Sequence, residues 1–187
     1  MTGHPANVDR ETLEALRFPL GRFKADVRPT DEKRRKWIDE LAGLPESVRA
    51  AVAGLSDAQL DTAYRPEGWT VRQVVHHLPD SHVSAYVRFK LALTEDEPAV
   101  KTFEQDCWAE LADGKSAPVE LSIALLEALH RRWVHLLRSL EPEGFRRAFQ
   151  HPEWGRTTID VALQMYVYHG KNHVAQIAGL RERRGWT

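Results

Sequence analysis

The sequence predicts an all-α fold, a four-helix bundle with long connecting loops. Four long segments place apolar residues three and four positions apart, which is the spacing of one buried helix face. Two capping boxes, at Ser56–Gln59 and Thr70–Gln73, mark helix starts. No segment shows a credible strand pattern. Four long helices with substantial connections pack most simply as a bundle.

The first 29 residues are rich in proline, glycine and charge. They predict an extended N-terminal arm over residues 1–29, followed by one bundle domain over residues 30–187. The arm should attach to the core through its apolar side chains, Phe18, Leu20 and Phe23.

The first bundle helix should begin at Thr30 or Asp31. Its buried face is predicted to contain Trp37, Leu41, Leu44, Val48, Val52 and Leu55. Gly43 and Pro45 interrupt this pattern without changing its phase. That continuity favours one kinked helix over two separate helices.

The second helix should begin at the Thr70–Gln73 box. Its stripe consists of Val71, Val74, Val75, Leu78, His82, Ala85, Tyr86, Phe89 and Leu93. Pro79 lies within the stripe and has no backbone N–H, so it should free the Val75 carbonyl and bend the helix.

The third helix is predicted from Pro118, a favoured first-turn residue, to about Leu140. The fourth should begin at Thr157 or Thr158 and end at Gly185, after a cationic last turn. Two connections are expected to be long loops that set substrate specificity. Loop 94–117 should contain one helical turn around Phe103–Leu111. Loop 142–157 should contain a short helix around Phe145–Phe149.

The composition of the chain argues against several classes of protein function. The 187 residues carry a net charge of −1, which gives no sign of nucleic-acid binding. No apolar run is long enough for a membrane span, and the N-terminus lacks the apolar core of a signal peptide. The single cysteine, Cys107, excludes an internal disulfide and a thiolate-cluster metal site. These features predict a cytoplasmic protein that binds neither nucleic acid nor a membrane.

His169 and His173 are four residues apart on the fourth helix, so both imidazoles can face one point. They would form half of a zinc-type site. Gly170 beside them would allow another helix to approach closely. Periodicity alone leaves two interpretations open, a metal site or hydrogen-bonded core histidines.

The other histidines are harder to interpret. His76 and His77 follow the second capping box, and the helical wheel does not choose between them, since both could be partly exposed. His82 is on the stripe, either in the core or behind a metal ligand. His130 and His135 are five apart and cannot act together on one face. Glu127 and His130 match half of a di-iron motif, but no second motif follows, so a di-iron site is disfavoured.

Several motifs resemble the YfiT branch of the DinB-like superfamily of metal-binding four-helix bundles. They are Gly68–Leu78 (Gly-Trp-Thr-Val-Arg-Gln-Val-Val-His-His-Leu), Asp80–His82, Tyr86–Glu95, Leu129–Trp133 with Leu136 and Leu137, Tyr168-His169-x-x-x-His173, Arg183–Trp186 and, in the arm, Phe18–Gly21.

This resemblance implies one divalent metal, Zn or Ni, held by His77 (not His76), His169 and His173. Pro79 departs from the small residue usual at its position, which affects the presentation of His77. The family also implies a homodimer, and the six tryptophans agree with one.

The resemblance implies two possible reactions on a small-molecule electrophile. The branch is described as metal-dependent hydrolases, and relatives are S-transferases that use a thiol such as bacillithiol. The thiol reaction is slightly favoured, since hydrolysis usually needs an acid or base and the ligand-bearing segments offer only Asp80. Asp80 could instead orient a ligand imidazole.

An acidic thiol cofactor could bind Arg88, Lys171, Arg181 or Arg184, although each is also typical of a solvated helix surface. A third possibility is a non-catalytic helical binding module that the metal only stabilises. A fourth protein ligand, His82 or His76, would favour that reading because it would close the site.

Overall fold

The structure is a computed structural model that describes residues 10–186; residues 1–9 of the predicted arm lie outside it. Its helices are α1 (Arg10–Arg17), α2 (Asp31–Val52), α3 (Asp57–Leu60), α4 (Val71–Thr94), α5 (Gln105–Ala109), α6 (Ala112–Ser116), α7 (Val119–Arg138), α8 (Pro142–Arg146) and α9 (Ile159–Arg184). The strands β1 (Ala148–His151) and β2 (Gly155–Thr158) form an antiparallel hairpin before α9.

The four long helices α2, α4, α7 and α9 form the predicted bundle. Helix α2 packs against α7 and α9, and α4 packs against the same two helices from the other side. None of the described helices is both long enough and apolar enough to cross a membrane.

Side chains cap three of the four long helices where the sequence suggests, and α7 follows Pro118 without a side-chain cap. Thr70 and Gln73 form the capping box that starts α4, and Thr30 and Thr158 cap α2 and α9. These caps satisfy backbone N–H groups that have no helical partner. Both α2 and α4 continue through their prolines as single helices.

The sequence-based description of the connections and the arm needs three corrections. Arg10–Arg17 is helical rather than extended; Glu11 in its first turn and Arg17 in its last complement the helix dipole. The loop 94–117 contains two short helices. The helix expected around Phe145–Phe149 ends at Arg146, and the chain then forms a strand pair.

The hairpin covers one end of the bundle. Phe149 is fully buried within the apolar core, and Gly155, the first residue of β2 after the turn, adopts φ 67°. The strand β1 also bonds to the 94–117 connection, through Val100 N–H to the Gln150 carbonyl. Four residues are too few to show a reliable alternation in sequence, which explains why the strands were not predicted.

The core consists of two apolar clusters with histidines at their boundary. On α4, His82 lies between Leu78 of one cluster and Ala85 of the other. On α7, His130 lies between Leu126 and Trp133. Residues His169 and His173 take the corresponding place on α9. The bundle therefore has a polar layer inside it.

Candidate metal centre

Three histidines converge between α4 and α9. Donor atoms of His77, His169 and His173 all lie within 4.8 Å of one another. His77 Nε2 is 3.1 Å from His169 Nε2, and His173 Nε2 is 3.2 Å from the same atom. These are the three residues that the family resemblance implies as ligands.

Local structure explains the convergence. The capping box fixes the start of α4, and His77 follows in its second turn. His169 and His173 lie one turn apart on α9. Gly170, between them, lies against Leu44, and any side chain at that position would overlap the leucine. The glycine thus allows α9 to approach α2 closely.

The three imidazoles are held in their neutral form. Burial lowers the pKa of His77 and of His169 well below the usual histidine value, and lowers that of His173 to about 4. The neighbouring rings lower the first two further. Neutral imidazole is the form that binds a metal.

A hydrogen bond fixes which nitrogen of His173 carries its proton. His173 Nδ1 lies 2.8 Å from Gln176 Oε1, while Gln176 Nε2 donates to the Arg17 carbonyl at 2.8 Å. The amide oxygen only accepts, so His173 Nδ1 carries the hydrogen and Nε2 presents a lone pair to the cluster.

This geometry fits a metal ion. Nitrogens that bind one tetrahedral zinc at about 2.0–2.1 Å lie roughly 3.3 Å apart. The two Nε2–Nε2 distances, 3.1 and 3.2 Å, are close to that separation. Imidazole nitrogen suits both Zn²⁺ and Ni²⁺.

Neither suspected fourth ligand closes the cluster. His76, expected to be partly exposed, is buried and points elsewhere, to Ser122 Oγ at 2.7 Å and the Ala117 carbonyl at 3.0 Å. His82 Nε2 faces His169 Nδ1 at 3.2 Å, behind the cluster. Among the described residues, the three histidines therefore leave a coordination position open.

The cluster forms part of the wall of a cavity of about 470 Å³. The Trp69 ring contacts His77 at a tilt of 54°, with ring centroids 4.6 Å apart. Arg17 and Phe18 of the N-terminal arm line the cavity as well, together with two carboxylates, Glu67 and Asp106. Acid–base groups are thus present in the cavity.

Asp80 is not one of these groups. Its pKa is raised by burial and by Asp113, and no hydrogen bond in the described residues joins it to the three histidines. It lies on α4 one turn after His77 but does not line the cavity.

The four candidate cofactor-binding cations differ in their surroundings. Arg181 is half-buried and donates to the Ala51 and Ala53 carbonyls. Lys171 is exposed and pairs with Glu40, and Arg184 is exposed. Arg88 is buried, and its guanidinium donates to Tyr166 Oη at 2.9 Å and to the Lys101 carbonyl at 2.8 Å. It therefore has neutral partners only in the described part of the chain.

Arg88 lines a second cavity of about 350 Å³, which reaches the cluster through His169. The segment Phe103–Asp106 contributes to the walls of this cavity, and Gln105 and Asp106 also line the first one. The predicted long loop thus lies beside the cluster.

Sequence reasoning did not find Gln176, Glu67 or Asp106. Gln176 is three residues after His173 on the same helix face, a spacing that could have identified it. Glu67 and Asp106 come from connections, where no periodicity reveals which way a side chain faces.

Comparison with known proteins agrees with the fold. The profile of the DinB superfamily matches residues 40–177. A protein of Bacillus mycoides named "Putative metal-dependent hydrolase" is 48% identical over 174 residues, covering 93% of this chain and all of the relative. A Bacillus cereus protein of the same name is 49% identical over the same coverage.

Similar solved structures include two four-helix bundles. YfiT from Bacillus subtilis, described as a probable metal-dependent hydrolase with an unusual four-helix bundle topology, superposes with a TM-score of 0.91 at 45% identity, covering 92% of this chain and 99% of YfiT. The four-helix bundle protein TT2238 has a TM-score of 0.54 at 17% identity, covering 76% of this chain and 95% of TT2238, and supports the fold alone.

Proposed function

The chain belongs to the DinB superfamily, and we propose that it is a metal-dependent hydrolase in which His77, His169 and His173 hold one divalent ion, Zn or Ni. The observation that supports this proposal is the convergence of three neutral imidazoles beside a cavity, with no fourth protein ligand among the described residues. A site with three protein ligands is typical of catalytic rather than structural zinc.

When bound, such an ion supplies a Lewis acid that lowers the pKa of a coordinated water or thiol. The protein supplies position and protons. Asp106 and Glu67, on the wall of the same cavity, are the candidates for general acid and base. Their presence supports hydrolysis, because the lack of a nearby carboxylate was the reason to favour the thiol reaction.

Transfer of a low-molecular-weight thiol such as bacillithiol is the second candidate, and one observation favours it. Arg88 is a buried cation without an acidic partner in the described chain, on a cavity that also reaches His169. A buried guanidinium bound only to neutral acceptors can attract an acidic group. Three carboxylates, those of Glu104, Asp106 and Glu153, also line this cavity and oppose an anion, so the thiol reaction stays the second candidate. Lys171 and Arg184 are weaker candidates because both are exposed.

Metal content tests the first proposal. Mass spectrometry of untagged protein should find about one Zn or Ni per chain, the metal should be lost in His77→Ala, and it should be retained in His76→Ala. The control is matched, since His76 is the adjacent residue and is also buried and hydrogen-bonded. Equal metal content in the two variants would refute the ligand assignment.

Activity separates the two reactions. A panel of ester and amide substrates should be hydrolysed by the metal-loaded protein and not after chelation, with Asp106→Asn reducing kcat by about 10²–10⁴-fold. Turnover of electrophiles that requires an added thiol, with no hydrolysis of the panel, would favour the transferase instead.

A further inference from the structure

A series of hydrogen bonds leads from the cluster to the backbone of α2. His169 Nδ1 lies 3.2 Å from His82 Nε2, His82 Nδ1 lies 2.8 Å from His130 Nε2, and His130 Nδ1 lies 2.7 Å from the Leu41 carbonyl oxygen. The planes of the His82 and His130 rings differ by 12° and the ring centroids lie 5.0 Å apart, an arrangement that allows a hydrogen bond between the ring edges. Both rings are almost fully buried.

The carbonyl at the end of this series is available because of a proline. In an α-helix the carbonyl of one residue accepts the N–H of the residue four positions later. The residue four after Leu41 is Pro45, inside α2, and proline has no N–H. His130 takes the place of that missing donor.

The carbonyl determines the direction of every bond in the series. A carbonyl oxygen only accepts, so His130 Nδ1 carries the hydrogen and the neutral ring accepts at Nε2. His82 must then donate from Nδ1 and accept at Nε2. His169 must donate from Nδ1, which leaves a lone pair on its Nε2. Burial lowers the pKa of His130 to about 4, which agrees with a neutral ring.

We propose that His82 and His130 are positioning residues that hold His169 in its Nδ1–H tautomer, with the Nε2 lone pair presented to the cluster. The inference rests on the proposed metal site and extends it by two further histidines. Gln176 imposes the same tautomer on His173. Two lone pairs consequently face each other at 3.2 Å, an arrangement that repels unless a cation lies between them.

Removing His130 should reverse the direction of the hydrogen bond between His82 and His169. His82 Nδ1 would then face an apolar surrounding, where an unpaired N–H is less tolerated than an unpaired lone pair. His82 would carry its hydrogen on Nε2 and donate to His169 Nδ1. His169 would become the Nε2–H tautomer, in which Nε2 has no lone pair for a metal until the hydrogen moves to Nδ1.

Nitrogen-15 NMR of the histidine rings in the metal-free protein tests this inference. We expect Nδ1 to carry the hydrogen in His82, His130 and His169 of the wild type. In His130→Leu we expect His169 to populate the Nε2–H tautomer and the Kd for Zn²⁺ to rise about 10- to 100-fold. His76→Leu is the control, because it removes another buried, doubly hydrogen-bonded histidine that lies outside the series.

An Nε2–H tautomer of His169 in the wild type would overturn the inference, as would an unchanged His169 spectrum in folded His130→Leu. If that variant does not fold, Pro45→Ala replaces it. The new backbone N–H competes with His130 for the Leu41 carbonyl, so it should weaken the preference of His169 for the Nδ1–H tautomer. If the wild type shows the expected tautomers but binds neither Zn²⁺ nor Ni²⁺, the proposed function fails while the hydrogen-bond series stands.

Discussion

Gln176 Oε1 lies 2.8 Å from His173 Nδ1, and the nitrogen of the same amide donates to the Arg17 carbonyl at 2.8 Å. The N-terminal arm thus determines which way the Gln176 amide faces, and the amide determines the tautomer of His173. A partner that orients a ligating imidazole typically contributes about 10- to 100-fold to metal affinity.

We therefore predict that Gln176→Leu weakens Zn²⁺ binding by about 10- to 100-fold, measured by competition with a chromogenic chelator. Gln164→Leu is the matched control. Gln164 is also buried on α9 and bonds to the arm, at Asp26, but it contacts none of the three histidines. Equal losses in both variants would mean that anchoring of the arm, and not orientation of His173, affects the metal.

Gly170→Ala should destabilise the fold by about 1–3 kcal/mol in urea denaturation, because overpacking a tight core costs this much. The added Cβ would lie 2.8 Å from Leu44 Cδ1 and closer still to Cδ2. Gly43→Ala is the control on α2. It meets no atom within 4 Å, so it should stabilise the helix by about 0.5–1 kcal/mol. No loss of stability in Gly170→Ala would contradict the close approach of α9 to α2.

The metal-free protein should lose stability as the pH falls below about 6.5. Burial lowers the pKa of five histidines at the cluster and behind it, which are His77, His82, His130, His169 and His173. The unfolded chain thus binds more protons than the folded one from about pH 6.5 down to about 4, the value for His130 and His173. In that window the free energy of unfolding rises with pH, by up to about 1.4 kcal/mol per pH unit for each histidine.

Urea denaturation in the presence of a chelator, at about pH 7.5 and about pH 5, measures this loss. We expect the lower stability at the acidic value. Equal free energies of unfolding at the two values would show that the histidines are not held neutral by the fold.

If the second candidate reaction operates, Arg88→Met should weaken binding of bacillithiol to the Zn-loaded protein by at least about tenfold, the loss expected for a hydrogen bond to a charged group. Lys171→Ala and Arg184→Ala should leave the Kd within about twofold, since exposed charges contribute little. Calorimetry provides the measurement. Similar effects of all three substitutions would indicate general attraction of the anion rather than a site at Arg88.

Periodicity predicted the four bundle helices, because each long helix must bury one face, and capping residues marked the starts of three of them. Thr70 and Gln73 are an example, since their two reciprocal hydrogen bonds form within four residues of sequence. The hairpin was missed because β1 depends on pairing with β2 and with the 94–117 connection, contacts that no local pattern contains.

The site was only partly accessible from sequence for a similar reason. The i,i+4 spacing brings His169 and His173 together, but the choice of His77 over His76 came from the family resemblance. The bonds of His82 and His130 depend on how α2, α4 and α7 meet. The one local signal for them, Pro45 four residues after Leu41, was interpreted only as an interruption of the helix.

The arm forms one side of the cavity, yet α1 contains no buried residue. The arm bonds to α9 near the cluster through two backbone carbonyls. The Arg17 carbonyl accepts from Asn172 and Gln176, and the Gly21 carbonyl accepts from Tyr168. Segments with few buried contacts open at a small fraction of the global unfolding free energy. We therefore expect amide hydrogens of α1 to exchange with solvent long before those of the bundle. Each opening would admit a larger molecule to the cavity and would also release the Gln176 amide that orients His173. Access to the cavity and the orientation of this metal-binding imidazole would therefore change together.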